Sequence, residues 1–215
     1  MWCTQACRRW YGRQPVEIAN CYAPPAGARC TPQGVVLWVA TLKSWKRPEH
    51  FLELARALPH LRFRMVGGAA PGKEAALYES MRAAASALPN VEFVGFVPVA
   101  EVERHFDDAR VFVNTSDYEG FPNTFLQSWA RAIPTVSLID CGAREGGKPV
   151  GFICKDVAQM REVVERLCGD EGEWRAEGER ARRHFDANHS VATAIERYSG
   201  LFDELLARKG LPPWR

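Results

Sequence analysis

The sequence predicts an α/β fold, in which a doubly wound parallel sheet of about six strands carries helices on both faces and leads into a helical C-terminal tail. The first observation is a series of short apolar runs rich in Val and Phe, as expected for buried parallel strands. The second is that longer runs with helical spacing alternate with these short ones. The third is that the C-terminal stretch contains only amphipathic helical patterns, so it is predicted to add helices and no strand.

Six short apolar runs are the predicted strands. They are VVLWVA (35–40), LRFRMVG (61–67), VEFVG (91–95), RVFVN (110–114), PTVSL (134–138) and GFIC (151–154). Because a helical pattern separates most neighbours along the chain, the strands are predicted to pair in parallel.

Four helices are predicted between the strands. They are PEHFLELARALP (48–59), KEAALYESMRAAASAL (73–88), PVAEVERHFDDA (98–109) and FPNTFLQSWARA (121–132). Pro48 and Pro98 suit a first helical turn, where the missing N–H of proline would have no partner. Three amphipathic helices are predicted in the tail, DVAQMREVVERLC, WRAEGERARRHFDANH and SVATAIERYSGLFDELLARK, the last with Ser190 as its N-cap.

The stretch SDYEGFPNTFLQSWA (116–130) predicts a helix that packs on one side and is polar on the other. Pro122 suits its first helical position. Three residues recur at helical spacing on the apolar face: Phe125, Trp129 and Ile133. The same spacing produces a polar line: Asn123, Gln127 and Arg131. Glu119 lies just outside the first turn, near the polar line, so this side is predicted to be available for binding.

Composition and charge exclude several classes of protein. The 215 residues are 47% hydrophobic and 25% charged, which is enough for a proper core, and the net charge of +2 does not favour nucleic acid or anionic membrane. The seven cysteines, at positions 3, 7, 21, 30, 141, 154 and 168, include no CxxC pair or zinc spacing and indicate free thiols in a reducing compartment. No apolar stretch approaches the roughly 18 residues that span a bilayer. We therefore predict a cytoplasmic protein.

The candidate site lies in the loops after the strands, because open α/β sheets bind ligands beyond the carboxyl ends of their strands. ATLKSWKRPE places Lys43 and Lys46 after the first strand, and GGAAPGK (67–73) and DCGAREGGKPVG (140–151) are rich in glycine. Cations and free backbone N–H groups favour an anion such as phosphate, although lysines in loops are more often solvated and such glycines often only form turns. No GxGxxG or GxxxxGK[ST] is present, so neither a dinucleotide site nor a P-loop is predicted.

The phrase TSDYEGFPNTFLQSWARAIPTVS (115–137) resembles the donor-binding signature of the group 1, family 4 retaining glycosyltransferases, which have the GT-B fold. VVLWVATLKSWKRPEHFLELA, FRMVGG and LPNVEFVGFVP resemble the nucleotide-sugar half of the same family in the same order. The likeness runs from residue 33 to about residue 205. It implies a Rossmann-like C-terminal half that binds an NDP-sugar donor, without a metal cofactor, for transfer of the sugar to an acceptor.

The resemblance also implies roles for individual residues. Glu119 would contact hydroxyl groups of the donor sugar, and Lys46 would neutralise the donor diphosphate; these two are the predicted catalytic residues. Thr41 stands where such enzymes carry an arginine, and Gln127 where they carry a ribose-binding glutamate. The other predicted donor-binding residues, expected near the base, the sugar and the distal phosphate, are Gly68, Gly95, Phe96, Val97, Gly120, Phe121, Pro122, Asn123 and Thr124.

Two departures from the family pattern affect binding. Thr41 removes a positive charge, so stabilisation of the leaving diphosphate is expected to be weaker. Gln127 offers a neutral acceptor, which makes a weaker hydrogen bond than a carboxylate, so Gln127→Glu is expected to match or strengthen nucleotide binding. The alternative is that Gln127 is only a solvent-facing helix residue.

The domain organisation follows from the same resemblance. We predict a leader or linker at 1–32, the donor-binding domain at 33–207 and a tail at 208–215. TQACRRWYGRQPVEIAN resembles the end of an N-terminal acceptor-binding half, so a separate half of that kind is the predicted partner and the lone chain is predicted to be inactive. Two alternatives stay open: a non-catalytic nucleotide-sugar-binding or interaction module, and a folded remnant without a ligand.

Overall fold

The computed structural model describes residues 2–12, 14–28, 34–69 and 74–214. Its internal contacts divide the chain into two compact units. The sheet unit comprises residues 24–186, and the helical unit comprises residues 1–23 together with residues 187–215. The predicted boundary between residues 32 and 33 falls outside the described residues.

The sheet unit is built on six parallel strands, and all six correspond to predicted ones. They are β1 (Val35–Val39), β2 (Arg62–Val66), β3 (Val91–Gly95), β4 (Ala109–Asn114), β5 (Thr135–Ser137) and, after a small antiparallel hairpin of β6 (Arg144–Glu145) and β7 (Lys148–Pro149), β8 (Phe152–Ile153). The strand order is β3-β2-β1-β4-β5-β8. With helices on both sides of this sheet, the predicted doubly wound, Rossmann-like fold is confirmed.

Eight α-helices and two 3₁₀ turns lie in the part of the chain that the structure describes. The helices are α1 (Trp2–Tyr11), α2 (Pro48–Ala57), α3 (Ala75–Ser86), α4 (Val99–Val102), α5 (Asn123–Trp129), α6 (Val157–Gly169), α7 (Glu171–Asn188) and α8 (Val191–Ala207). The 3₁₀ turns are Ser44–Lys46 and Glu103–Phe106. Helix α1 is a feature that the sequence analysis does not predict, whereas the three helices of the tail are confirmed. The predicted start of the second helix, residue 73, is not among the described residues.

Two of the predicted helices are shorter than expected. The predicted helix 98–109 begins as α4 and continues as the 3₁₀ turn Glu103–Phe106. Pro122 precedes helix α5 as its N-cap, because its φ of −70° is paired with an extended ψ of 116°. At the other end, Ala132 has a left-handed φ of 56°, which stops the chain from continuing as a helix.

The core of the sheet unit lies around the central strands β1 and β4. All six residues of β4 are buried, and Trp38 of β1 is 2% exposed. Phe51 of α2 packs edge-to-face on Phe63 of β2, with ring centroids 5.3 Å apart. The apolar face predicted for α5 is also buried, and burying each of its large side chains contributes about 1.5–3 kcal/mol.

The helical unit contains α1, α8 and the chain segments next to them. The backbone N–H of Tyr22 donates to the carbonyl of His189 (3.0 Å), and His189 Nδ1 lies 2.7 Å from the carbonyl oxygen of Asn20. Ser190 caps α8 as predicted, because its Oγ accepts a hydrogen bond from the N–H of Thr193 at 3.1 Å.

Candidate functional site

A cavity of about 390 Å³ lies where the strand order reverses, between the carboxyl ends of β1 and β4. Such a switch point is the usual ligand site of an open α/β sheet, because the loops on its two sides diverge there. The lining comes from the end of β1 and the loop after it, from the end of β4, and from the start of α5: Trp38, Val39, Ala40, Thr41, Lys43, Lys46, Val113, Asn114, Ser116, Glu119, Phe121, Pro122, Asn123 and Thr124.

The two predicted catalytic residues meet inside this cavity. Lys46 Nζ forms an ion pair with Glu119 Oε1, and the two side chains are only 21% and 15% exposed. Ser116 Oγ donates a second hydrogen bond to the same carboxylate oxygen (2.7 Å), and Asn114 Nδ2 lies 3.5 Å from it. The structure thus places a cation and a carboxylate side by side in a pocket of limited solvent access.

Hydrogen bonds join the loop after β1 to the loop after β4. Thr115 Oγ1 donates to the carbonyl of Lys46 (2.7 Å) and accepts from Trp38 Nε1 (3.0 Å). The backbone N–H of Asp117 donates to the carbonyl of Trp45 at 2.8 Å. Because buried polar groups without partners are costly, these bonds favour one arrangement of the two loops and therefore of the Lys46–Glu119 pair.

The predicted donor-binding residues divide into two groups. Those lining the cavity are Thr41, Phe121, Pro122, Asn123 and Thr124. The described residues outside its lining are Gly68, Gly95, Phe96, Val97, Gly120 and Gln127.

Gly68 and Gly95 have structural reasons for being glycine. A Cβ on Gly68 would lie 2.9 Å from Cβ of Phe96, and Gly95 has a left-handed φ of +79°. The two glycines therefore allow the loops after β2 and β3 to approach each other closely.

Gln127 is held in a polar cluster that the sequence does not reveal. Its Nε2 donates to Glu103 Oε1 (2.7 Å), and Arg131 Nη2 contacts the other oxygen of Glu103 (3.0 Å). Arg131 also contacts Asp107, and its side chain is only 1% exposed. The predicted polar line on α5 is therefore partly buried against the Glu103–Phe106 turn.

Sequence reasoning does not identify several residues that line the cavity or lie next to it. Asn114 and Ser116 line the cavity, and the available signal was their position at the carboxyl end of a predicted strand and in the loop after it. Lys43 also lines it, although the sequence assigns this lysine no role beyond that of a loop cation. Trp45 and Tyr118 stack beside the Lys46–Glu119 pair, an arrangement that depends on the tertiary fold.

Within the residues that the structure describes, no group of three or more His, Cys, Asp or Glu side chains is arranged to hold a metal ion. Within the same residues, none of the helices has the length and apolar character needed to cross a membrane.

Comparison with protein families finds one matching model. The model described as glycosyl transferases group 1 matches residues 33–170, which is more than half of the chain. No curated protein matches the chain in sequence.

Comparison with solved structures finds many similar chains. Sucrose-phosphate synthase from Thermosynechococcus elongatus is 19% identical with a TM-score of 0.75, and the match covers 95% of this chain and 56% of that one. HepE from Anabaena, in complex with UDP and glucose, is 17% identical with a TM-score of 0.63, covering 80% of this chain and 48% of HepE. The C-terminal domain of LpcC from Francisella tularensis is 15% identical with a TM-score of 0.65, covering 78% of this chain and 95% of that domain.

These structural matches concern the fold. The chain spans about half the length of sucrose-phosphate synthase and of HepE, but it matches nearly the whole of the isolated C-terminal domain of LpcC. The observed sheet unit is thus similar to the C-terminal half of a two-domain GT-B architecture.

Proposed function

Because this chain belongs to the group 1 glycosyl transferases, we propose that its cavity binds a nucleotide-sugar donor for a retaining transfer reaction. The observation that carries the proposal is the Lys46–Glu119 pair within the cavity at the strand-order switch. An ammonium group suits a diphosphate, and a carboxylate suits the hydroxyl groups of a sugar. The cavity provides both groups within contact distance of each other.

In the proposed complex, the donor lies across the carboxyl ends of β1 and β4. Lys46 contacts the diphosphate and stabilises the negative charge that develops on it when the sugar leaves. Glu119 accepts hydrogen bonds from the sugar, while Ser116 holds the carboxylate in place through its 2.7 Å hydrogen bond. Asn123 and Thr124 line the cavity where the distal phosphate would lie.

We propose that the acceptor is bound by a separate N-terminal half. The support is that this chain covers only 56% of sucrose-phosphate synthase and 48% of HepE. The chain alone would then lack the second wall that orients the acceptor and excludes water, so the effect of proximity on rate would be lost. We expect the purified 215-residue chain to glycosylate no acceptor and to hydrolyse the donor at most slowly. Efficient transfer to a defined acceptor by this chain would contradict the proposal.

The donor site is proposed to work without a metal ion, since lysine supplies the positive charge. UDP, which the HepE structure contains, is the first probe, followed by GDP and ADP. Calorimetry should give the same affinity in EDTA as in Mg²⁺ or Mn²⁺. Lys46→Ala should weaken binding by about 1.5–3 kcal/mol through loss of a charge-assisted contact. Lys209→Ala, which removes an exposed lysine outside the cavity lining and outside the candidate loops, is the control and should have no effect. Binding that strictly requires the cation would overturn this part of the proposal.

Glu119 can be tested separately from Lys46. Glu119→Gln keeps the size of the side chain but removes the charge that pairs with Lys46, so affinity for the free nucleoside diphosphate should be retained or increased. The additional affinity for the nucleotide-sugar over the nucleotide should fall, because a neutral acceptor binds sugar hydroxyls less strongly. If the ratio of the two affinities is unchanged, Glu119 does not contact the sugar.

A further inference from the structure

The cavity has a net positive charge that the Lys46–Glu119 pair does not account for. Its charged lining residues are Lys43, Lys46 and Glu119, two cations and one anion. Glu119 is directly paired with Lys46. Within the described residues, no carboxylate oxygen lies within the 4.0 Å ion-pair distance of Lys43, so the unbalanced charge of the lining belongs to this lysine.

Lys43 is held by an aromatic pair. Its Nζ lies 4.7 Å from the ring centroid of Trp45, in cation–π geometry. Trp45 stacks on Tyr118, with centroids 6.1 Å apart and ring planes within 11°. The carbonyl of Trp45 accepts the N–H of Asp117, which ties the indole-bearing turn to the loop after β4.

We infer that Lys43 is the second diphosphate-binding residue of the donor site and that Trp45 positions its ammonium group. This inference rests on the proposed function. The inference identifies Lys43 as the residue that supplies the net positive charge of the cavity. A pocket whose only charged groups were Lys46 and Glu119 would have no net charge. Thr41, which lines the same cavity, contributes no charge.

The physical reason is the difference between a paired and an unpaired cation. A diphosphate that approaches Lys46 competes with Glu119 for it, so part of the attraction is offset by the ion pair already present. Among the described residues Lys43 has no such competitor, so it can contact a phosphate oxygen without breaking an ion pair with any of them. The indole ring restricts the rotamers of the long lysine side chain, which reduces the entropy lost when the anion binds.

The test uses whichever of UDP, GDP and ADP binds the parent chain most tightly, together with the corresponding nucleoside. Lys43→Ala should weaken the diphosphate at least tenfold and leave the nucleoside unchanged, because the nucleoside has no phosphate. Lys43→Met, which keeps the length of the side chain, should behave in the same way. Lys209→Ala is the charge-matched control outside the lining and should bind like the parent. A thermal melt of each variant establishes that it is folded.

The role of Trp45 is tested by a double-mutant cycle. Trp45→Leu keeps an apolar side chain but removes the ring face, so it should weaken the diphosphate several-fold in the parent. The same substitution should change nothing in the Lys43→Ala background, because the ammonium group that the ring positions is then missing. An equal loss in both backgrounds would show that Trp45 acts only through the fold and would overturn the positioning role.

The outcomes separate this inference from the function on which it rests. If none of the three nucleoside diphosphates binds the parent chain, the proposed function fails. If one binds and Lys46→Ala weakens it, while Lys43→Ala and Lys43→Met bind like Lys209→Ala, the donor site stands and the inference about Lys43 is wrong.

Discussion

Replacing Gln127 by glutamate should destabilise the protein, although the sequence alone favours this change as a gain in nucleotide binding. In the structure, Gln127 Nε2 donates to Glu103 Oε1 at 2.7 Å. Gln127→Glu turns this donor into a carboxylate oxygen that faces another carboxylate. Because of this contact with Glu103, the substitution should lower the free energy of unfolding, an effect that cannot be inferred from residue 127 alone.

The magnitude follows from two terms. The lost hydrogen bond to a charged group is worth about 1.5–3 kcal/mol. Two like charges about 4 Å apart repel by about 1–4 kcal/mol, depending on the local dielectric constant. Because Gln127 is half-buried and the new side chain can turn toward solvent, we expect the lower end of the summed range, a loss of about 2.5 kcal/mol in the free energy of unfolding. That corresponds to a fall of about 1 M in the urea midpoint.

A charge exchange isolates the contact from other effects. Glu103→Gln alone removes one of the carboxylates that contact Arg131, whose side chain is 1% exposed, so it should also destabilise. Combining it with Gln127→Glu restores one amide, one carboxylate and one buried arginine in the same cluster. The double variant should be more stable than the sum of the two single changes by at least about 1.5 kcal/mol.

The assay is urea unfolding followed by tryptophan fluorescence. Gln159→Glu is the matched control, because Gln159 Oε1 accepts the backbone N–H of Lys155 at 2.9 Å and glutamate keeps that acceptor. It should leave the midpoint unchanged or raise it slightly. If Gln127→Glu unfolds at the same urea concentration as the parent, or if the double variant equals the sum of the singles, the cluster does not couple these residues as described.

Three other measurements test separate features of the structure. Gly178→Ala should lower the free energy of unfolding, measured by denaturation, by about 1–3 kcal/mol, because the new Cβ would lie 2.1 Å from the carbonyl oxygen of Ala132. Gly200→Ala should raise it by about 0.5–1 kcal/mol, because a Cβ there would meet nothing within 4 Å. Equal effects of the two substitutions would contradict the packing. Burial lowers the pKa of His189 from 6.5, so on acidification the unfolded chain binds the proton before the folded chain does. The contribution of His189 to the free energy of unfolding should therefore fall as the pH drops below 6.5 through the folded pKa. His189→Gln should flatten this part of the plot of stability against pH, and an unchanged slope would refute the reasoning. Burial raises the pKa of Cys154 to about 11, so iodoacetamide at pH 8 should alkylate it far more slowly than the exposed Cys21, as mass spectrometry of the labelled chain would show.

The sequence by itself was sufficient to predict the six strands, the sheet class and the three helices of the tail. Hydrophobic periodicity is a local property, and a strand or helix that buries one face has this periodicity in its own residues. The position of Lys46 and Glu119 at one edge of the sheet could be inferred for a related reason, since residues after parallel strands share that edge and a family signature surrounds Glu119; their direct contact was not predicted.

Tertiary structure decided where the elements end. The predicted helix 98–109 becomes a short α-helix followed by a 3₁₀ turn, and this turn packs against Arg131, which follows α5. Helix α1 lies in the stretch that the sequence analysis assigns to a leader or linker. Helix ends depend on packing and capping in three dimensions, which contribute as much free energy as the local preferences that the sequence displays.

Tertiary structure also decided which side chains meet. Gln127 looks like a lone polar residue in the sequence, yet it is bound to Glu103 from a different element. Lys43 looks like a solvated loop lysine, yet its ammonium lies against Trp45, which stacks on Tyr118 from the loop after β4. Periodicity indicates which face of an element is apolar, but the partner of a polar or charged side chain is set by the distance between segments far apart in the chain, and that distance exists only in the folded structure.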